Sequence, residues 1–295
     1  MDSDTGKDIV LSISGGAGLF PASCGACYVI NNYIKEIHPT HNIKYAGVSS
    51  GSIVAISLCL GLSEDDMFYF YKKFIGFFDT FYKVPFTYWY QACRKFLQLL
   101  LPKEDSYKQF NNKLYIGITR LTLKGLIFEV ISNYTSNDDL INTIITSGTL
   151  FPLSWTPFRI YNGRLAGDGG YIYNYVRLPN HYNIIFKFDH INGVFNTSDW
   201  LISTSLDKWH RLFTGGQKHI KKNKNDWKKI ITNKQETKVL LSQQNETTNK
   251  KNILITAYKL YKLLINNITF FKIITLIITL YLFQKYRKIK SNIKV

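Results

Sequence analysis

Residues 8–13, Asp-Ile-Val-Leu-Ser-Ile, run without a break into Ser14-Gly15-Gly16-Ala17-Gly18, and this junction constrains the fold more than any other part of the chain. A short apolar, β-branched run that ends in glycines reads as a buried strand entering a tight loop. Pro21 then suits the first turn of a helix, where its missing N–H is no loss. The small residues Ala22, Ser23, Gly25 and Ala26 would let that helix lie close to a sheet until His38-Pro39 ends it. Ile43–Ala46 reads as a second strand, Gly47-Val48-Ser49-Ser50-Gly51 as a turn, and Ser52–Leu60 as a helix of small and aliphatic residues. Strand, helix, strand, turn and helix in that order predict an α/β fold begun by a βαβ unit.

The rest of the chain extends the pattern. Residues 64–101 are aromatic-rich and helical in tendency, with Pro85 interrupting any single helix, and are expected to pack as core or lid. Residues 113–120 and 126–131 look like paired strands, Asp138–Thr146 like a short capped helix, Arg159–Leu165 like a hairpin and Ile184–Phe188 like a last strand. A length of 295 residues, 45% of them hydrophobic, supplies a real core and excludes wholesale disorder. Four cysteines are too few for a disulfide framework, and the polar start Met1–Lys7 does not resemble a secretory signal, so an N-terminally addressed secreted protein is not expected. Cys24-Gly25-Ala26-Cys27 matches C-x-x-C but falls inside the first helix, where it reads as small-residue packing.

The net charge of +17 is unevenly placed. Residues 1–205 hold 17 Lys and Arg against 16 Asp and Glu, a net of +1, whereas residues 206–295 hold 20 against 4, a net of +16. That contrast predicts four segments: a polar N-terminus over 1–7, a near-neutral globular domain over 8–205, a basic linker over 206–252 and an apolar, basic tail over 253–295. The lysine-rich stretch has no recognition fold for nucleic acid, which is not expected as a partner.

The chemistry concentrates in three motifs. Gly47-Val48-Ser49-Ser50-Gly51 fits G-x-S-x-G, a strand-to-helix turn that projects its serine while the glycines avoid steric conflict. The following helix N-terminus would offer the Ser50 N–H and a positive dipole end to a developing oxyanion. Gly15-Gly16-Ala17-Gly18 can present further backbone N–H groups. As a dinucleotide loop it is incomplete, since Pro21 follows where G-x-G-x-x-G needs glycine, and there is no Walker lysine. Asp168, between Gly167 and Gly169-Gly170, is the candidate base. A Ser–Asp–His triad is the alternative, because His181, His190, His210 and His219 all follow Asp168 in the order that such a triad uses.

Together these motifs resemble the patatin-like phospholipases. A Gly-rich loop after the first strand, G-V-S-S-G one βα unit later, S-G-T-L-F-P at Ser147–Pro152 and G-D-G-G-Y-I-Y-N at Gly167–Asn174 occur in that family's order, over roughly residues 8–205. The resemblance implies a three-layer α/β sandwich around a mostly parallel sheet, and a Ser–Asp dyad without histidine, metal or cofactor that hydrolyses acyl esters of phospholipids or neutral glycerolipids. It implies Ser49 as nucleophile, Asp168 as base, and the amides of Gly16, Ala17, Gly18 and Ser50 as oxyanion hole, supported by Gly15, Gly47, Gly51, Gly169 and Gly170. One departure is Pro21, which stands where the family's last oxyanion-loop glycine is expected, in a loop with no Arg or Lys.

The tail adds a location. Ile273–Phe283 is an uninterrupted apolar run of eleven residues, and a window over Leu263–Leu282 reaches spanning length with Lys272 near its middle. Spanning tail anchor and interfacial helix both place the chain at a membrane, with Lys285, Arg287, Lys288, Lys290 and Lys294 attracting anionic lipid. The expectation is a membrane-associated, intracellular lipid acyl hydrolase of the phospholipase A or neutral lipase type. The alternative is a catalytically silent lipid-binding protein that keeps the fold.

Overall fold

The computed structural model describes residues 8–81, 88–150, 154, 156–196, 199 and 205–233. The chain divides into two compact units, Met1–Thr237 and Lys238–Val295, and all described residues belong to the first. Pro85, residues 234–252 of the basic linker expected over 206–252, and the whole tail over 253–295 lie outside them. Among the described residues no helix is long and apolar enough to cross a membrane.

Seven strands of the described residues form one sheet: β1 (Ile9–Ile13), β2 (Ile43–Val48), β3 (Leu114–Thr122), β4 (Gly125–Ile131), β5 (Phe158–Tyr161), β6 (Arg164–Asp168) and β7 (Tyr182–Phe186). Their order is β5-β6-β3-β2-β1-β7, with β4 also paired to β3. β1 pairs in parallel with β2 and β7, and β2 with β3, so the half of the sheet begun by the βαβ unit is parallel. β3–β4, β3–β6 and β5–β6 are antiparallel.

Among the described residues seven helices accompany the sheet: α1 (Phe20–Ile37), α2 (Ser50–Cys59), α3 (Glu64–Phe81), α4 (Tyr88–Leu100), α5 (Asn137–Ser147), α6 (Leu206–Lys222) and α7 (Lys224–Thr232). α1, α2 and α5 pack on strands, and α3, α4 and α6 lie outside them, making their main contacts with other helices. Alternate residues Ile9, Leu11 and Ile13 of β1 join one large core with the helices, whereas Val10, Ala46 and Val48 face the other way, against Val176 and Leu178.

Residues 206–232 correct the expected linker: they are α6 and α7, packed on the domain. Lysine density made this stretch read as solvated, yet Trp209, Leu212, Phe213, Gly216 and Ile220 recur at three- and four-residue spacing and are buried. α6 reaches α1 through glycines. A Cβ on Gly216 would stand 2.1 Å from the Ala22 carbonyl oxygen, and one on Gly25 would stand 2.0 Å from that of Phe213.

Candidate active site

A strand has only two edges, and the register of β3 decides what meets on one of them. β4 occupies one edge over Ile116–Thr122. The other is shared end to end: β2 pairs as far as Val48 opposite Gly117, and β6 begins its pairing with Asp168 opposite Ile118. β2 runs parallel to β3 and β6 antiparallel, so their C-terminal ends abut on neighbouring residues of β3. Ser49 follows one end and Asp168 closes the other, which brings together residues 119 positions apart in sequence.

The turn after β2 is strained. Ser49 sits at φ 54°, ψ −132°, in the region disfavoured for a residue with a side chain. Its surroundings hold it there. The Ser49 N–H donates to Ser147 Oγ at 2.8 Å, and that hydroxyl donates in turn to the Gly117 carbonyl at 2.7 Å. The glycines are required by close approach, because a Cβ on Gly47 would lie 2.5 Å from the Gly51 carbonyl oxygen, and one on Gly51 would lie 2.4 Å from that of Ile13.

Asp168 is 2% exposed. One carboxylate oxygen accepts from the Gly170 N–H at 2.7 Å, and the Asp168 N–H itself donates to the Thr149 carbonyl at 3.1 Å. Burial pushes the carboxyl up to about 6, against the opposing pull of the Ser49 hydroxyl and the Gly170 amide. Although the Ser49 hydroxyl is near enough to exert that pull, no hydrogen bond of good geometry closes onto Oδ2, which is buried and unpartnered. Gly169 lies against β3, where a Cβ would come 2.4 Å from the Gly117 carbonyl oxygen.

The Gly-rich loop faces this pair. Gly15 exchanges two hydrogen bonds with the Asn174 side chain, N–H to Oδ1 at 3.0 Å and Nδ2 to the Gly15 carbonyl at 3.0 Å, which ties the loop to the segment after Asp168. The Gly16 N–H donates to Ser50 Oγ at 2.9 Å, so of the four amides expected at the oxyanion hole this one is already engaged. Those of Ala17, Gly18 and Ser50 donate to no acceptor among the described residues. Ala17 has φ 47° and opens a short 3-10 turn that leads into α1. Pro21 is the second residue of α1 and is buried, so the departure from glycine falls within the helix.

Beside Ser49 opens a narrow, mainly apolar crevice walled by Ile53, Cys93, Ile144, Ile145 and Gly148. Among the described residues no histidine meets Ser49 or Asp168: His181 bonds the Pro179 carbonyl and Lys44, while His190 accepts from the Lys187 N–H and packs against Trp227. Cys24 and Cys27 are free, buried thiols, with Cys24 pushed up to about 12 by burial. Sequence reasoning assigned no role to Ser147 or Asn174, although both stand inside the motifs it singled out. The only available signal was that each is a polar side chain among residues otherwise suited to burial.

A stretch of 154 residues matches the omega-hydroxyceramide transacylase of Homo sapiens at 30% identity, covering 50% of this chain and 27% of that protein. The Mus musculus protein of the same name matches at 28% over 175 residues, 58% of this chain and 28% of the other. The chain thus spans little more than a quarter of the curated relatives it matches. Among solved structures, VipD from Legionella pneumophila aligns with a TM-score of 0.35 and 14% identity, over 61% of this chain and 49% of that one. The family model described as patatin-like phospholipase matches residues 11–179, more than half of the chain and every strand-end and loop that builds the site, and the chain belongs to that family.

Proposed function

We propose that the protein is a serine acyl hydrolase acting on membrane lipid esters, with Ser49 as nucleophile and Asp168 as general base. The carrying observation is a strained, half-buried Ser49 placed beside a buried carboxylate whose Oδ2 has no other partner and whose pKa of about 6 suits proton transfer near neutrality. Ser49 Oγ attacks the ester carbonyl carbon while its proton passes to Asp168. The carbonyl oxygen, now anionic, lies toward the free amides of Ala17, Gly18 and Ser50 at the N-terminal end of α2. Collapse expels the alcohol, which takes the proton from Asp168, and leaves the acyl group on Ser49. Water then attacks the acyl-enzyme with Asp168 again as base, releasing fatty acid and restoring Ser49.

The apolar, basic residues 253–295 are proposed to hold the enzyme at an anionic membrane surface inside the cell. A second outcome at the same acyl-enzyme is transfer to an alcohol in place of water, which the similarity to the transacylases favours.

The test exposes full-length protein and Ser49→Ala to a fluorophosphonate probe, and follows fatty-acid release from phospholipid and triacylglycerol vesicles with and without a long-chain alcohol. Labelling and release that both vanish in Ser49→Ala support the hydrolase, and ester formation with the alcohol assigns acyl transfer. Wild type that neither labels nor releases fatty acid overturns the reading in favour of a silent lipid-binding protein.

A further inference from the structure

Of the nine exposed large apolar side chains among the described residues, five (Leu121, Leu123, Ile127, Ile160 and Leu165) sit on two adjoining hairpins. The first turns between β3 and β4, closed by the pair Thr122 and Gly125. The second turns between β5 and β6 through Asn162-Gly163, with φ of 48° and 70°, and is closed by Tyr161 and Arg164. Their positions follow from register. β2 stops opposite Gly117, while β3 runs on to Thr122, so the β3–β4 turn stands roughly 15 Å beyond the strand end that carries Ser49. β6 enters the sheet from the same level, because Arg120 pairs with Ala166 and Asp168 lies four residues below Arg164. Both turns therefore project from the catalytic end of the sheet.

The same register lines their side chains up. Leu126 pairs with Leu121, and Leu165 with Ile160; the β3–β6 register carried one step beyond Arg120 and Ala166 sets Leu121 alongside Leu165. Residues directly opposite one another point to the same face, so four aliphatic side chains cross four strands as one row. This row lies on the face opposite Ile116 and Ile118, which join the helix-covered core. Leu123 at the tip is fully exposed and Ile160 is 72% exposed. Such an exposed apolar row is an association hazard unless something apolar receives it.

We propose that these two hairpins are a bilayer-entering surface, which seats the catalytic end of the sheet on a membrane so that a lipid ester can pass to Ser49. The charge pattern selects a membrane over a protein partner. Each turn carries one exposed cation, Lys124 and Arg164, neither in an ion pair among the described residues, and there is no carboxylate in 121–127 or 160–165. Leucines at the tips with cations beside them match hydrocarbon below and anionic headgroups around. The surface stands on its own geometry; its use in delivering substrate rests on the hydrolase reading.

Two measurements on full-length protein test it. In a Cys59→Ala background, since the other three thiols are buried, Leu123→Cys is labelled with an environment-sensitive nitrobenzoxadiazole dye and mixed with phosphatidylcholine vesicles containing phosphatidylserine. A blue-shifted, brighter emission on the vesicles is expected, with quenching by lipids brominated on the acyl chain. Separately, the pair Leu123→Asp and Ile160→Asp, both at exposed positions, is expected to lower vesicle partitioning at least about tenfold and vesicle hydrolysis in parallel. Turnover of a soluble short-chain ester should not change. A dye that remains in water while the protein is vesicle-bound overturns the proposal, as does a protein that binds no vesicle. A blue shift that follows protein concentration without lipid assigns the surface to a second copy, and also overturns it. The dye reads insertion even with Ser49 disabled, so failure of this surface and failure of the hydrolase reading are distinct results.

Discussion

Replacing Asp168 by asparagine separates the chemistry of this carboxyl from its cost to the fold. The group titrates near 6 when folded, against 3.8 for an ordinary aspartate, because desolvation disfavours the charged form. The sign follows from the protons bound. Between these two values the folded state holds a proton that the unfolded chain has released, so stability is highest below 3.8 and falls as pH rises through 6. The full loss is about 3 kcal/mol, and most of it, roughly 2 kcal/mol, falls between pH 4 and pH 7. The side chain introduced by Asp168→Asn cannot ionise. Its amide nitrogen would sit where Oδ2 has no partner, at a cost of about 1–3 kcal/mol, but that cost is the same at every pH and cancels from the difference. Urea unfolding of wild type and variant at pH 4, 5.5 and 7 should therefore show the variant gaining on wild type by roughly 2 kcal/mol across the range. Equal pH dependence of the two proteins would refute the buried, raised carboxyl. The same variant should lose fatty-acid release, and wild-type activity should rise through about pH 6 as the base ionises.

Other perturbations test the supports of the site. Ser49→Gly should abolish activity yet raise stability by about 1–2 kcal/mol in urea unfolding, since glycine tolerates the positive φ that serine is forced to hold. Asn174→Ala strips Gly15 of both hydrogen bonds; it should cost about 1–3 kcal/mol and slow fluorophosphonate labelling of Ser49, with no change in the pH at which labelling rises. Gly216→Ala pushes a methyl into the Ala22 carbonyl and should cost about 3 kcal/mol or more by thermal or urea unfolding, whereas Gly61→Ala, in open space but at positive φ, should cost only about 1 kcal/mol.

The early part of the fold was legible because its signals are local. A β-branched run, glycines and a proline specify strand, loop and helix start within a few residues, and β1, α1, β2 and α2 lie where those signals put them, with α2 beginning at Ser50 because Ser49 itself makes the turn. The glycines of G-V-S-S-G are explained by atoms close in sequence or on the neighbouring strand. α6 was illegible for the opposite reason. Its lysines and histidines dominate composition, while the stripe from Trp209 to Ile220 acquires meaning only when Gly25 and Gly216 let two backbones touch.

Sequence determined which residues had the chemistry: a serine between glycines, an aspartate between glycines, and a loop of amides. Tertiary structure decided how they are used. Side-chain hydroxyls and amides choose partners by proximity in space, so only folding shows that the Gly16 N–H goes to Ser50 Oγ, that Ser147 holds the Ser49 amide and that Asn174 clasps Gly15. The raised carboxyl of Asp168 is likewise a property of desolvation, set by the atoms packed around it and written in no motif. The meeting of β2 and β6 on one edge of β3, which brings nucleophile and carboxylate together, depends on register, and register is fixed only when every strand of the sheet has found its neighbour.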